Sequence, residues 1–219
     1  MGDCTRGIAG GGFLYTNRES LSVGVVLRLD DLVARGADSA EIFEHFLGHP
    51  ALAPLLAGGR LVEYGSHLVA EGGLDMLGEV ACDGMVVVGD AAGLTLNTGL
   101  TVRGMDLAAE SGLVAADAVD AALTAGDVSA RGLAGYREAL LASTTGRDLR
   151  TYAKAPAFLE RGRMYQDYGP LLGDVLRAVY DHDLRPRRHL RTVALGELRR
   201  SGVRVRDLVA DGLAGVRAL

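Results

Sequence analysis

The stretch that most constrains this chain runs from Met85 to Asp106. Val86, Val87 and Val88 are consecutive β-branched residues with no polar residue between them, a pattern that predicts a strand covered on both faces, as in a parallel α/β sheet. Gly89 and Asp90 then fall at the strand's carboxyl end, where open α/β sheets place their ligands. Ala91, Ala92 and Gly93 leave room for a ligand to lie against main chain. A helix is predicted to open at Thr98 to Thr101, and its free N–H groups would favour an anionic group in front of them. Gly104, Ala108, Ser111, Ala115, Ala118 and Ala122 recur at three- and four-residue spacing, so one face of that helix is small enough to pack closely. Strand, Gly-Asp turn and helix also form a common α/β connection with no ligand, and the residues alone leave both readings open.

Composition narrows the class. A chain of 219 residues, 48% hydrophobic with 31 glycines, suits a compact α/β protein. A net charge of −5 argues against a nucleic-acid binder, which would carry a broad basic face. Two cysteines, Cys4 and Cys82, are too few for a disulfide framework or a four-thiolate cluster; they suggest a reducing compartment and a role as small buried hydrophobes. His45, His49, His67, His182 and His189 form no ligand constellation. His45 and His49 are one helical turn apart, but Pro50 follows at once, and no metal site is expected. Met1-Gly2-Asp3 leads into no apolar signal region, and no run of about eighteen apolar residues occurs, so a cytoplasmic protein is expected.

Three segments are expected. Residues 1–80 read as a β-rich segment with short helices. Gly10-Gly11-Gly12 forms a tight loop, Phe13 to Thr16 pairs with Ser20 to Leu29 as a hairpin, and Asp38-Ser39 caps a helix carrying Ile42, Phe43, Phe46 and Leu47. Leu61 to Val69 alternates like a strand and ends at Glu71-Gly72-Gly73. Tyr64 and His67 on it read either as packed residues or as proton donors. Residues 81–125 hold the strand, the Gly-Asp loop and the long helix, which ends near Leu123. Residues 126–219 read as helical, with a helix at Ala130 to Thr145 whose buried face is Leu133, Tyr136, Leu140 and Leu141, and helices at Ala157 to Tyr165 and Pro170 to Tyr180. The arginine-rich stretch from Leu184 to Arg206 sets Leu190, Val193, Ala194 and Leu198 on one face; it reads as a solvated helix over the core or as a helix resting on an anionic membrane.

Val88-Gly89-Asp90-Ala91-Ala92-Gly93 before a glycine-led helix resembles the second FAD-contacting motif of flavoproteins with the p-hydroxybenzoate-hydroxylase-like fold. The continuation from Leu96 to Asp106, with Ser111-Gly112 and Ala115-Ala116, most resembles the FixC type, relatives of electron-transfer-flavoprotein:quinone oxidoreductase within the geranylgeranyl-reductase-like superfamily. Arg150-Thr151-Tyr152 and Ala155 to Leu159 extend the likeness. The resemblance implies an α/β fold: a substrate-side sheet, the second half of a Rossmann-like FAD domain, and a helical C-terminal tail. It implies FAD, with Asp90 on the ribityl hydroxyls, Gly89, Ala91, Ala92 and Gly93 in close approach, and Asn97, Thr98, Gly99, Leu100 and Thr101 at the flavin. Arg103 would meet the flavin or an electron partner, and Gly10 and Gly11 match a glycine pair beside the quinone. The implied function is an FAD-dependent oxidoreductase passing electrons from an electron-transfer flavoprotein toward quinone or ferredoxin. Lacking a cysteine-rich cluster segment, the chain would need a separate ferredoxin-like protein. Reduction of isoprenoid double bonds, as in geranylgeranyl reductases, is the enzymatic alternative; a non-catalytic remnant or interaction module is the other. The arginine-rich tail suggests a peripheral seat at the inner face of the membrane.

The Gly-x-Gly-x-x-Gly loop that holds the FAD pyrophosphate in this family has no counterpart here. The chain therefore corresponds to the family's second half, and a fragment, a truncated reading frame or one half of a split protein is expected. Leaving Val86, Val87 and Val88 uncovered would forfeit roughly 1.5–3 kcal/mol each, against a domain stability of about 5–15 kcal/mol. The isolated chain should be marginal, aggregate or recruit a partner, and hold FAD weakly. Reversible denaturation of a monomer with tight, full FAD occupancy would contradict this.

Overall fold

The computed structural model describes residues 3–99, 101–181, 184 and 186–219. In chain order the strands are β1 (Gly10–Thr16), β2 (Leu21–Leu27), β3 (Ala81–Cys82), β4 (Met85–Val86), β5 (Leu96–Asn97) and β6 (Val102–Arg103). The helices are α1 (Leu29–Ala34), α2 (Ser39–Leu47), α3 (Ala53–Leu56), α4 (Met105–Ala125), α5 (Gly135–Ala142), α6 (Thr144–Thr151), α7 (Ala155–Leu159), α8 (Arg163–Gln166), α9 (Tyr168–Tyr180), α10 (Leu190–Ser201) and α11 (Val205–Ala218). Helix and strand are mixed, as an α/β reading requires. Among the described residues the sheets are three antiparallel pairs, β1 with β2, β3 with β4 and β5 with β6. The chain divides into two compact units, Met1–Tyr64 with Arg161–Leu208, and Gly65–Glu160 with Val209–Leu219.

In the first unit the expected hairpin forms, but it begins earlier: Gly10, Gly11 and Gly12 are strand rather than loop. Close contacts with the paired strand and with α2 explain two of the glycines. A Cβ on Gly10 would lie 2.0 Å from the Val26 carbonyl oxygen, and one on Gly12 would lie 2.5 Å from the Phe46 ring. The aromatic side chain of α2 thus rests on bare backbone. Helix α2 starts where expected, with the Asp38 carboxylate accepting from the amides of Ala40 and Glu41. Asp31 ties α1 to the hairpin by accepting from the Ala9 amide at 2.8 Å, which holds its carboxyl below the usual range, with Arg35 assisting.

The expected strand from Leu61 to Val69 does not form. Alternation specifies a strand only where a neighbouring strand takes up the backbone hydrogen bonds. Here Leu61, Val62, Tyr64 and Leu68 are exposed and the segment is irregular. The helix expected from Ala157 to Tyr165 is two short helices, α7 and α8, separated around Gly162. In α9, Pro170 occupies the third helical position rather than the first. Of the arginine-rich stretch, α10 buries Val193 and leaves Leu190 exposed. His182 and Arg185 lie outside the described residues.

The second unit has one core, made by Leu77, Val80, Ala92, Leu94, Leu96, Leu107, Ala115, Tyr136, Leu140 and Leu149. The buried face of α4 is Leu107 with the small residues Ser111, Ala115 and Ala122, while Gly104, Ala108 and Ala118 of the predicted stripe are half-buried. Gly126, left-handed at φ 68°, ends this helix. The helix expected over Ala130 to Thr145 is shorter, because Ser143 turns extended, closing α5 and capping α6. Of its expected core residues, Leu133, Tyr136 and Leu140 are buried and Leu141 is half-buried.

Cross-links between these helices were not legible in the sequence. Glu110 on α4 accepts from the amides of Thr144 and Thr145 and, at 2.5 Å, from the Thr145 hydroxyl. It thereby satisfies the first turn of α6 from outside that helix. These bonds, that of the Thr145 hydroxyl foremost, hold the Glu110 carboxyl below its ordinary value. A depressed folded pKa contributes stability above the unfolded value and loses it as pH falls through the folded one. Acid unfolding should therefore begin below the ordinary glutamate range of about pH 4, and Glu110→Gln should flatten that limb in circular dichroism melts taken across pH.

Candidate functional site

The Val86–Val88 run is not a strand covered on both faces. Asp83 and Gly84, the latter left-handed at φ 70°, turn the chain back so that β4 pairs with β3, and the Val87 amide donates to the Val80 carbonyl. Met85 is 54% and Val88 38% exposed, while Val86 and Val87 are half-buried. Cys82 is exposed and Cys4 half-buried, so neither is the enclosed hydrophobe expected. The Val87 carbonyl is taken by the hydroxyl of Tyr136 at 3.0 Å. Burial raises the Tyr136 pKa above that of a free phenol.

Gly89, Asp90, Ala91 and Ala92 form a single 3-10 turn ended by Gly93, left-handed at φ 76°. The turn is anchored at its start, where the Gly89 amide donates to the Ser111 hydroxyl at 3.0 Å and that hydroxyl donates to the Ala108 carbonyl. Close packing within the chain accounts for both glycines. A Cβ on Gly89 would come within 3.1 Å of the Ala108 methyl, and one on Gly93 within 2.8 Å of the Met76 carbonyl oxygen. Ala92 is core, whereas Ala91 and Asp90 are exposed.

Asp90 lies at the mouth of α4. Its Oδ1 sits where a Cβ on Gly104 would be 3.4 Å away, and among the described residues no donor pairs with its carboxylate. Gly104 is the N-cap of α4 and supplies no side-chain cap. A solvated carboxylate thus stands beside a helix end whose dipole favours negative charge. Such a group is free to accept hydrogen bonds from ligand hydroxyls.

The helix opens at Met105, not at Thr98 to Thr101. The residues between are an antiparallel hairpin, Leu96 opposite Arg103 and Asn97 opposite Val102. Thr98 and Thr101 close its tip through their backbone and hydroxyls, and Gly99 is left-handed at φ 80°. Paired rungs and a tip closed by side chains outcompete helix formation here, so Gly99 and Thr101 are loop-tip groups rather than the first turn of a helix. Leu100 lies outside the described residues. Asn97 accepts from the Gly99 amide through Oδ1 at 2.8 Å and donates from Nδ2 to Glu71 at 3.3 Å.

Arg103 is engaged within the chain. Its guanidinium donates to Asp106 and, at 2.7 Å, to Asp148, clamping β6 to α4 and α6. The paired carboxylates raise its pKa, and it in turn lowers that of Asp106. Gly10 and Gly11 belong to the other unit, facing Leu27 and Val26 across the hairpin. Tyr64 is exposed with its ring 6.1 Å from that of Phe43, and His67 is exposed. Among the described residues no group of three His, Cys, Asp or Glu is placed to hold a metal ion, and no helix is long and apolar enough to cross a membrane. Glu71, Ser111 and Tyr136 complete the loop's surroundings. The polar Ser111 within an otherwise apolar small-residue stripe signalled one of the three and the helical spacing of Tyr136 its burial, while nothing local marked Glu71.

The chain matches no protein-family model. Among curated proteins it is 40% identical over 218 residues to an Escherichia coli K12 protein named "Probable electron transfer flavoprotein-quinone oxidoreductase YdiS". It is 42% identical over 218 residues to the protein FixC of the same organism, and 34% identical over 213 residues to a second E. coli protein of the quinone oxidoreductase name, YgcN. The chain is homologous over its whole length to the FixC type of electron-transfer oxidoreductase. It spans about half the length of these relatives, 50% in each case, and matches a C-terminal half of the family. The matched half includes the Gly89–Gly93 turn, the β5–β6 hairpin and α4.

The geometry separates two effects that a single alanine scan would merge. Gly93→Ala forces a side chain into a left-handed position and against a carbonyl, and should cost about 1–3 kcal/mol of stability. Asp90→Ala removes a solvated group and should cost about 0.3–1 kcal/mol, the worth of a carboxylate beside the α4 N-terminus, read as a small shift of the chemical denaturation midpoint.

Proposed function

We propose that this chain forms part of an FAD-dependent oxidoreductase of the FixC type, which takes electrons from an electron-transfer flavoprotein and passes them toward a quinone or, through a separate ferredoxin-like protein, onward. The observation that carries this reading is the solvated Asp90 carboxylate at the uncapped start of α4, in a chain homologous throughout to such proteins. These residues fit the cofactor. Asp90 would accept from the ribityl hydroxyls, the 3-10 turn around it would carry the sugar chain, and the Asn97–Thr101 hairpin tip would border the ring. The flavin supplies the electron-transfer chemistry when bound. The chain's own part is to hold it, to favour negative charge through the α4 amides, and to keep Arg103 from drifting by its two carboxylates.

In this reading Gly10 and Gly11 border the quinone, and the fold is the substrate-side sheet with the second half of a Rossmann-like FAD domain. Apolar side chains exposed on the second unit, among them Met85, Val88, Val102 and Met105, support an association with a polypeptide equivalent to the remaining half of the relatives. A peripheral membrane seat through the arginine-rich helix α10 belongs to the same proposal and rests on its basic face.

The test is an FAD titration followed by visible spectroscopy, on the chain alone and with a polypeptide supplying a Gly-x-Gly-x-x-Gly unit. FAD should bind tightly only in the second case, and Asp90→Ala should weaken it about tenfold, the worth of one charge-assisted hydrogen bond. Failure to bind in either case would return Asp90 to a structural role.

A further inference from the structure

Glu71 lies in the second unit, just after the irregular segment that ends at Val69. One carboxylate oxygen, Oε2, accepts from Asn97 Nδ2 at 3.3 Å. The other, Oε1, is enclosed by protein and has no hydrogen-bond partner among the described residues. A carboxylate placed this way gains little stability. Its desolvated free oxygen is a cost that an apolar residue would avoid. Asn97 is the only side chain it holds among the described residues.

The orientation of Asn97 is determined from both sides. The Gly99 amide is a donor and requires the oxygen of Asn97, while Glu71 is an acceptor and requires its nitrogen. Glu71 therefore sets which way the Asn97 amide faces, and the amide in turn holds Gly99 in its left-handed conformation at the hairpin tip. Gly99 has little latitude on its other side, since a Cβ there would stand 3.1 Å from Leu159 and 3.6 Å from Leu219. We propose that Glu71 is a positioning residue: acting through Asn97, it fixes the Gly99 turn against which the flavin ring is held. This rests on the FAD reading above and adds a residue that the motif around Asp90 does not contain.

Amide hydrogen exchange over residues 97–101 and FAD affinity with its visible spectrum, measured on the full chain with whatever polypeptide completes FAD binding, test it. Glu71→Leu should speed exchange at the tip and weaken FAD, each about tenfold, and alter the flavin absorption bands. Glu71→Gln keeps an acceptor for Asn97 and should stay close to the parent in all three. Asn97→Asp sets two carboxylates together and should behave like Glu71→Leu, while the double variant Glu71→Gln with Asn97→Asp restores one hydrogen bond in the reverse sense and should recover tip protection and affinity. That rescue decides the matter even if Glu71→Leu fails to fold. Unchanged exchange in Asn97→Asp, or no recovery in the double variant, overturns the proposal. Exchange needs no cofactor, so a parent chain that bound no FAD would remove the FAD reading while the exchange pattern still ruled for or against Glu71.

Discussion

The second unit depends on one buried arrangement: the narrow face of α4 packed beneath the Gly89 turn, where Ser111 and Tyr136 supply side-chain hydrogen bonds to the backbone. The Ser111 hydroxyl takes the Gly89 amide and the Tyr136 hydroxyl takes the Val87 carbonyl, two backbone groups that the short β3–β4 pair leaves without a partner. An enclosed peptide group without a partner is costly, and these two side chains discharge that cost while filling space. Tyr136 is fully buried, so its ring packs the core and its hydroxyl reaches the edge of the loop. The placement of Asp90 follows, because the turn that carries it is anchored at one end by Ser111 and stopped at the other by Gly93.

From this anchor the polar cross-links spread outward along α4. Arg103 and Asp106 join the hairpin to the start of the helix and to Asp148 on α6, and Glu110, one turn further, caps α6 itself. These links lie at the rim, where half-exposed charges add modest energy and mainly fix register. What they fix is the position of the hairpin tip and of the α4 N-terminus relative to Asp90. The hairpin tip and the α4 N-terminus thus take their rigidity from these rim residues.

Local signals in the sequence proved reliable wherever the interaction was itself local. The Asp38 cap, the β1–β2 hairpin, the stripe along α4 and the buried trio Leu133, Tyr136 and Leu140 were all legible, because capping, alternation and three-to-four spacing act within a few residues. Glycine readings were less secure. Gly10, Gly12, Gly89 and Gly93 each make room for another part of this chain. A glycine in a sequence announces that something comes close and does not say what.

What the sequence determined by itself is the segment chemistry: a β-branched run, a Gly-Asp turn, a helix with a narrow face, and a likeness that pointed to the FixC type. Only the tertiary structure decided how those segments close. The valine run folds back on Ala81–Cys82 instead of entering a parallel sheet, the helix waits until Met105, and Leu61 to Val69 stays irregular. In each case a backbone's hydrogen-bonding demand was met by a particular neighbour or by none. Glu71, distant in sequence from Asn97, became visible only when the fold brought the two within hydrogen-bond reach. Pairing across sequence distance leaves no periodicity to read, and for that reason the residues around the candidate site emerged from the structure while its central carboxylate emerged from the sequence.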